Sequence, residues 1–255
     1  MPITTPHRLL PILHRASGIA LGVCAITYVF LVVNAPVDSV QGVIQKILYL
    51  HAPCAMAAYL GFLLTAIGGG LYLWKREERF DRFAASAAEV GVFFCALVMI
   101  TGPIWGKGTW GSWWSWDLRL TLTLLLFLIY LSYLLLRSFT EGGERTARFA
   151  AVYGIAGLAV IPLNYFAIEL AGGRSIHPEN LESGSLGAGM GMPFAMGIVT
   201  AIVAFSHLLL GRIEIARLRA ELAERSATTR LGSVSLIGRD SDAGGSGLVL
   251  LRPEH

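Results

Sequence analysis

The sequence predicts an all-α polytopic membrane protein with six transmembrane helices and both termini in the cytoplasm. Hydrophobic residues make up 55% of the 255-residue chain and charged residues only 15%, whereas a soluble domain carries about 25% charged residues. The mean hydropathy is +0.62. The apolar stretches are continuous and do not alternate with polar residues, which favours membrane helices over the strands of a β-barrel.

Six apolar runs carry this prediction, because a helix needs about 20 apolar residues to cross a bilayer. The second run has no charged residue from Ile47 to Trp74 and is long enough to cross with tilt. The third contains Glu89, an intramembrane carboxylate of the kind that is functional or paired. The runs cover residues 16–35, 47–74, 83–104, 118–136, 149–170 and 190–211.

The orientation follows from the distribution of Lys and Arg, which accumulate on the cytoplasmic side. Sixteen of the 20 basic residues fall on the side that holds both termini. The other four, Lys46, Lys107, Arg119 and Arg174, fall on the opposite side. The loops 36–46 and 171–189 are therefore predicted to lie on the outer face.

Residues 1–211 form the predicted membrane domain. Residues 212–232 have apolar side chains at helical spacing and mixed charge, which predicts a cytoplasmic amphipathic helix. Residues 233–255 are rich in Gly, Ser and Asp and are predicted to be disordered. The sequence contains no nucleotide-binding loop, and its basic residues form no stripe that would fit a nucleic acid. Cys24, Cys54 and Cys95 lie in apolar runs without CxxC spacing and are interpreted as buried thiols.

The stretch Trp105–Thr121, WGKGTWGSWWSWDLRLT, holds five of the six tryptophans. Glycines separate them, and apolar runs flank the stretch on both sides. Tryptophan has an apolar body and one N–H donor, so it favours membrane interfaces and flat apolar ligands. An aromatic belt would scatter its Trp and Tyr residues over several helix ends. The concentration in one segment, predicted as a loop over residues 105–121 on the outer face, favours a binding platform.

Two histidines share the outer face with these tryptophans. His51 lies in YLHAP and His177 in RSIHPEN, and neutral imidazole is a common ligand for transition metals and haem iron. Each histidine taken alone also fits a structural role, bonded to a backbone carbonyl or a headgroup. Asp117 is placed to cap the fourth helix. Arg119 is placed to pair with Asp117, with Glu169 or with an anionic ligand group.

The tryptophan stretch resembles the "WWD" signature of a superfamily of haem-handling membrane proteins. That superfamily includes the cytochrome c maturation proteins C and F and related c-type cytochrome synthesis proteins. The size, the six spans, AEVGVFFCALVMITGPIWGKGTWGSWWSWDLRLT and YLHAP together resemble the CcmC family, over residues 9–211.

This resemblance implies that the protein binds haem b transiently at the outer face of a bacterial inner membrane. It implies partners, namely the haem chaperone CcmE, the ABC transporter subunits CcmA and CcmB, and the small protein CcmD. It also assigns His51 and His177 as axial ligands of the haem iron. The implied haem platform consists of Trp110, Trp113, Trp114, Trp116, Asp117 and Arg119.

The segment before His177, ELAGGRSIHPEN, departs from the family pattern, which carries bulky aromatic residues there. His51 therefore follows the pattern more closely than His177 does. Two alternative functions remain at this point. One is a haem lyase of the same superfamily, although such members are much larger and carry more intramembrane histidines. The other is a transporter of free haem, for which Glu89 is the one intramembrane charge that suggests a path.

Overall fold

The computed structural model describes residues 9–140, 143–181 and 186–243, with side chains up to Ser226 except Glu224. Within these residues the protein is all-helical, as predicted. The elements are α1 (Leu9–Asn34), a 3-10 helix (Val43–Ile47), α2 (Leu48–Lys75), α3 (Glu78–Trp110), α4 (Leu118–Phe139), α5 (Glu144–Leu158), α6 (Val160–Tyr165), α7 (Ala167–Leu170) and α8 (Gly191–Ala243).

Among the described residues, six helical segments are long and apolar enough to cross a membrane, which confirms the predicted number of spans. The fifth joins α5 and α6, and the second joins the 3-10 helix to α2. Which face of the membrane each end occupies stays a prediction. The spans are Leu9–Asn34, Val43–Lys75, Glu78–Trp110, Leu118–Phe139, Glu144–Tyr165 and Gly191–Ala223.

The predicted loop 105–121 is helical in its first third, because α3 continues to Trp110. Two glycines in this turn allow close packing that a side chain would block. A Cβ on Gly108 would lie 2.5 Å from Ile44 of the 3-10 helix, and one on Gly106 would lie 3.1 Å from the ring of Trp110. The helix ends at Gly111, whose φ of 74° is the left-handed conformation typical of a helix C-terminus.

The fifth predicted span, 149–170, is broken into three short helices. Pro162 explains the first break, because proline lacks an N–H and its ring clashes with the carbonyl four residues earlier. That carbonyl belongs to Leu158, the last residue of α5.

The C-terminal part of the chain also differs from its prediction. Helix α8 continues through residues 212–232 and on to Ala243, where a disordered tail is predicted from Ser233. Extending an existing helix needs no new nucleation, and no proline interrupts this stretch. Residues 244–255, the rest of the predicted tail, lie outside the described residues. Residues from Ile215 onward form a separate compact unit.

Helix α2 lies at the centre of the membrane domain, and glycines let its neighbours approach closely. A Cβ on Gly61 would lie 2.5 Å from the Cα of Gly91 in α3. On another face, a Cβ on Gly69 would lie 3.2 Å from the Cα of Ala151 in α5. Small residues at such crossings let membrane helices pack backbone to backbone.

Aromatic rings join α4 to this centre. Phe62 of α2 stacks on Tyr130 of α4 with ring centroids 3.8 Å apart. The Tyr130 hydroxyl donates to the carbonyl of Gly154 in α5 at 2.9 Å. Both rings are fully buried, so this cluster fixes α2, α4 and α5 together below the end that carries the tryptophans.

Helix α1 packs along α8 at positions where glycine leaves room. The ring of His207 would lie 3.2 Å from a Cβ on Gly18, and the ring of His14 would lie 3.1 Å from one on Gly211. The two imidazoles contact each other with centroids 4.4 Å apart. No residue of α1 is buried, so its remaining faces present apolar side chains to the surroundings, as expected for a helix that contacts lipid.

The intramembrane carboxylate of Glu89 is paired. It forms a salt bridge with Arg212 of α8, which satisfies the charge without a ligand or a transport path. Asp81 of α3 forms a bidentate salt bridge with Arg137 of α4, in which the two Nη atoms donate to the two carboxylate oxygens at 2.6 and 2.7 Å. Both pairs are helix–helix contacts. Because Glu89 is paired, it no longer suggests a path for a free-haem transporter.

Candidate ligand-binding cavity

A cavity of about 600 Å³ lies between the ends of the spans that carry His51 and the Trp-rich segment. This volume falls in the range of about 300–1,000 Å³ that is typical of small-molecule sites. Helices α2, α3, α4 and α8 supply most of the wall, and residues 177–181 of the loop after α7 also line it. The lining is largely apolar and reaches down to the stacked Phe62 in the core.

His51 lies in the first turn of α2 and lines this cavity. Its Nδ1 is 2.9 Å from the Thr101 hydroxyl oxygen. That hydroxyl donates its single hydrogen to the Leu97 carbonyl at 2.7 Å, so it must accept from His51. The Nδ1 atom therefore carries the proton, and the Nε2 atom keeps a free lone pair.

His177 lies in the loop after α7 and also lines the cavity. Its Nδ1 is 2.8 Å from the Pro178 carbonyl oxygen, which can only accept. This ring is therefore also protonated on Nδ1, and its Nε2 is also free. Burial lowers the pKa of His177 to about 4, and the positive charge of Arg119 adds to the effect. The imidazole is thus neutral at physiological pH, the form in which it can bind a metal.

The two imidazoles come together although 126 positions separate them in the chain. Their ring centroids lie 6.5 Å apart with an interplanar angle of 39°. Two imidazoles on opposite sides of one metal have centroids about 6 Å apart, given bonds of about 2 Å and the size of the ring. The separation therefore fits a single metal between them.

The described residues include no group of three or more His, Cys, Asp or Glu placed to hold a metal ion. Two histidines alone do not close a tetrahedral or octahedral site. A metal that brings its own equatorial ligands needs only two axial bases, and a haem iron is such a metal. The donor set and the apolar wall therefore fit haem.

The tryptophans divide into two groups. Trp110 and Trp114 of the predicted platform line the cavity, and so does Trp105. Trp110 contacts His177 with ring centroids 6.5 Å apart. Trp113 and Trp116 are 59% and 77% exposed and do not line the cavity. Of the three tryptophans that follow Gly111, Trp114 is therefore the one that lines the cavity.

Trp105 was not among the predicted site residues, yet it is the most buried of the tryptophans. Its indole N–H donates to the side-chain carbonyl of Gln41 at 2.8 Å, and its ring meets the edge of His51 with centroids 5.7 Å apart. Its position within the tryptophan stretch is the sequence feature that could have included it in the site. Its contacts with Gln41 and His51 depend on tertiary packing, which the sequence pattern does not show.

Asp117 does not line the cavity. One of its carboxylate oxygens accepts from the backbone N–H of Arg119 at 2.9 Å, which confirms the predicted cap of α4. The other accepts from the backbone N–H of Ile176 at 3.3 Å. Asp117 thus connects the start of α4 to the residue before His177, and it holds the loop that carries the histidine.

Arg119 lines the cavity, and its Nη1 is buried without a hydrogen-bond partner. The indole N–H of Trp114 is buried and unpartnered as well. Unpaired buried donors cost free energy unless a ligand satisfies them. A guanidinium beside an apolar cavity fits a ligand that carries a carboxylate.

A polar network forms one wall of the cavity below Arg119. The Tyr59 hydroxyl donates to the side-chain carbonyl of Asn164 at 2.5 Å. The Asn164 amide donates to the Thr123 hydroxyl at 2.9 Å and to the Arg119 carbonyl at 3.1 Å. This fully buried asparagine fixes α6 against α4. A single asparagine in an apolar run gave no signal in the sequence.

Comparison with known proteins identifies the family. The family model described as "Heme exporter protein C" matches residues 3–232. The chain is 30% identical to the heme exporter protein C of Bradyrhizobium diazoefficiens, over 81% of this chain and 80% of the relative. It is 31% identical to that of Paracoccus denitrificans, over 79% and 83%.

A third relative, named for cytochrome c biosynthesis, is a ccmC-like mitochondrial protein of Marchantia polymorpha. It is 33% identical over 66% of this chain and 73% of the relative. The match to the family model extends over the six spans, the stretch Trp105–Thr121 and both histidines. The chain therefore belongs to the heme exporter protein C family, a family of multi-pass membrane proteins that handle haem in cytochrome c biogenesis.

Proposed function

We propose that this protein binds haem b between His51 and His177 and presents it to the haem chaperone CcmE for cytochrome c maturation. The observation that carries the proposal is the pair of imidazoles across one apolar cavity, 6.5 Å apart, each with a free Nε2 atom. Haem is the cargo here, and its iron supplies two axial positions for these bases.

Other residues have separate roles in holding the ring. Trp110 and Trp114 present aromatic surface to the macrocycle, and Trp105 supports His51 from behind. The guanidinium of Arg119, whose Nη1 atom has no hydrogen-bond partner, pairs with a carboxylate of the cargo. Trp113 and Trp116 face outward from the site, so they have no direct contact with bound haem.

The proposal includes where the site lies and what the protein assembles with. The excess of Lys and Arg predicted for the other end supports a position of the cavity on the outer face of a bacterial inner membrane. The sequence has no nucleotide-binding loop, which fits an association with the separate ABC transporter subunits CcmA and CcmB. The small protein CcmD completes the proposed assembly.

Absorbance spectra of the purified protein test the ligand assignment. We expect a bis-histidine haem spectrum in the unmodified protein and its loss in His51→Ala and in His177→Ala. Added imidazole should restore it in each variant by filling the vacant position. His207→Ala serves as the control, because His207 contacts His14 and Ser17, outside the cavity. An unchanged spectrum in both single variants would overturn the assignment.

Transfer to purified CcmE tests the presentation step. Haem should move from the loaded protein to the chaperone and should not become attached to an apocytochrome when CcmE is absent. Direct thioether formation on the apocytochrome would favour the lyase function instead. Haem flux into sealed vesicles without CcmE would favour the transporter.

A further inference from the structure

The hydroxyl of Thr101 in α3 contacts the imidazole of His51 in the neighbouring helix α2. We propose that Thr101 is a positioning residue, which fixes the tautomer and the orientation of His51 so that Nε2 faces the cavity. The inference rests on the proposed function, because it gives His51 the role of an iron ligand.

The hydrogen bonds around Thr101 run in one direction. Its hydroxyl donates to the Leu97 carbonyl at 2.7 Å, the usual bond of a threonine to the carbonyl four residues earlier in a helix. With that hydrogen committed, the oxygen has only lone pairs to offer to His51 Nδ1 at 2.9 Å. A proton on Nδ1 is therefore favoured. In the other tautomer the lone pair of Nδ1 would face the lone pairs of the threonine oxygen, with no hydrogen between them.

The rest of the ring is held by the same helix. A Cβ on Gly102 would lie 3.2 Å from the Cε1 atom of His51, so the ring lies close to the backbone of α3. Trp105, one turn further, meets the imidazole edge-on. The His51 ring thus packs on one face of α3, formed by Thr101, Gly102 and Trp105, which we call its seat. Thr101 supplies the hydrogen bond.

An acceptor on Nδ1 has a known effect on a ligating histidine. It fixes the ring orientation and raises the basicity of the other nitrogen, and its loss typically weakens metal affinity about 10–100-fold. His177 has the same arrangement, but its acceptor is the Pro178 carbonyl, which a substitution cannot remove. Thr101 is therefore the position at which the effect can be tested.

The test compares Thr101→Val, which keeps the shape and removes the hydroxyl, with Thr101→Ser, which keeps the hydroxyl. We expect Thr101→Val to bind haem about 10–100-fold more weakly and to show a raised midpoint potential, because a less basic axial ligand favours ferrous iron. Thr101→Ser should stay close to the unmodified protein in both. Thr27→Val is the matched control, since Thr27 makes the same helical bond, to Val23, on exposed α1.

Haem titration and redox titration of the four purified proteins give the answer. Unchanged affinity and potential in Thr101→Val, together with loss of the haem spectrum in His51→Ala, would overturn this inference and leave the proposed function intact. If His51→Ala binds haem normally, the proposed ligand set fails and the inference fails with it. Equal losses in Thr101→Val and Thr27→Val would show a general packing effect and would also overturn it.

Discussion

Trp114 and Trp113 are neighbours in the sequence with opposite surroundings. Trp114 lines the cavity, whereas Trp113 is 59% exposed. We expect Trp114→Ala to bind haem about tenfold more weakly, since an aromatic contact contributes about 1 kcal/mol beyond the apolar area that it buries. Trp113→Ala should bind haem normally. The measurement is a haem titration of each purified variant.

Trp74 provides a control for this comparison, because it is also exposed and lies at the far end of α2. Trp74→Ala should behave like Trp113→Ala. If Trp113→Ala weakens haem binding as much as Trp114→Ala does, the exposed tryptophans belong to the site, and the division between the two groups is wrong.

The lowered pKa of His177 predicts how stability depends on pH. Burial and the charge of Arg119 lower this pKa to about 4, from 6.5. Between these values the unfolded chain binds a proton that the folded protein does not, so folding loses stability as pH falls from 6.5 to 4. His177→Gln removes this group and should reduce the drop in melting temperature between pH 7 and pH 5.

Melting curves of the haem-free protein at these two values measure the effect. Arg119→Gln should reduce the drop more modestly, because the charge of Arg119 is the smaller of the two causes. An equal drop in the unmodified protein and in His177→Gln would assign the pH dependence to other groups.

At this scale the sequence predicted residue types better than side-chain directions. His51, His177, Trp110, Trp114 and Arg119 all line the cavity, as their chemistry and the family resemblance suggested. Trp113, Trp116 and Asp117 do not, because the direction of a side chain after Gly111 depends on the turn that follows it. Thr101 and Asn164 were missed, since one small polar residue in an apolar run has no pattern of its own.

At the scale of the helices, hydropathy found the six spans but not their ends. Hydropathy indicates which residues are apolar enough to contact lipid. The end of a helix depends instead on local backbone features such as glycine and proline, so hydropathy does not predict it. Gly106 and Gly108 suggested a loop, yet both lie within α3, where they are close to Trp110 and Ile44. Pro162 breaks the fifth span, and a hydropathy profile does not register such a break because the residues around it stay apolar.

The crossing of α2 and α3 gives a prediction about packing. Gly61→Ala would place a methyl group 2.5 Å from the backbone of Gly91, so the helices must separate. We expect a clear loss of melting temperature and a loss of haem, because His51 and its seat lie on these two helices. Overpacking of this kind typically costs about 1–3 kcal/mol.

Gly70→Ala is the matched control in the same helix, since a Cβ there has nothing within 4 Å. It should leave the melting temperature unchanged or raise it slightly, because alanine favours a helix over glycine by about 1 kcal/mol. Equal destabilisation by the two variants would show that the crossing at Gly61 is not a tight contact.

At the scale of the whole molecule, the ion pairs and the ligand site lie at opposite ends of the spans. Asp81 pairs with Arg137, and Glu89 pairs with Arg212, toward the ends that carry most of the Lys and Arg. The cavity lies at the ends with few basic residues. Consistent with this distribution, Arg119 is the one Lys or Arg among the described residues that lines the cavity.

This separation makes the membrane orientation decisive for the function. Sixteen of the 20 basic residues lie on the side assigned to the cytoplasm, and such a bias sets the orientation of short loops. Phosphatase fusions after Arg79 and Arg145 should be inactive, and green fluorescent protein fusions there should fluoresce. Fusions after Ser112 and Glu179 should give the reverse. A cytoplasmic Ser112 would place His51, His177 and the tryptophans away from an outer-face chaperone, and presentation of haem to CcmE could not occur from this cavity.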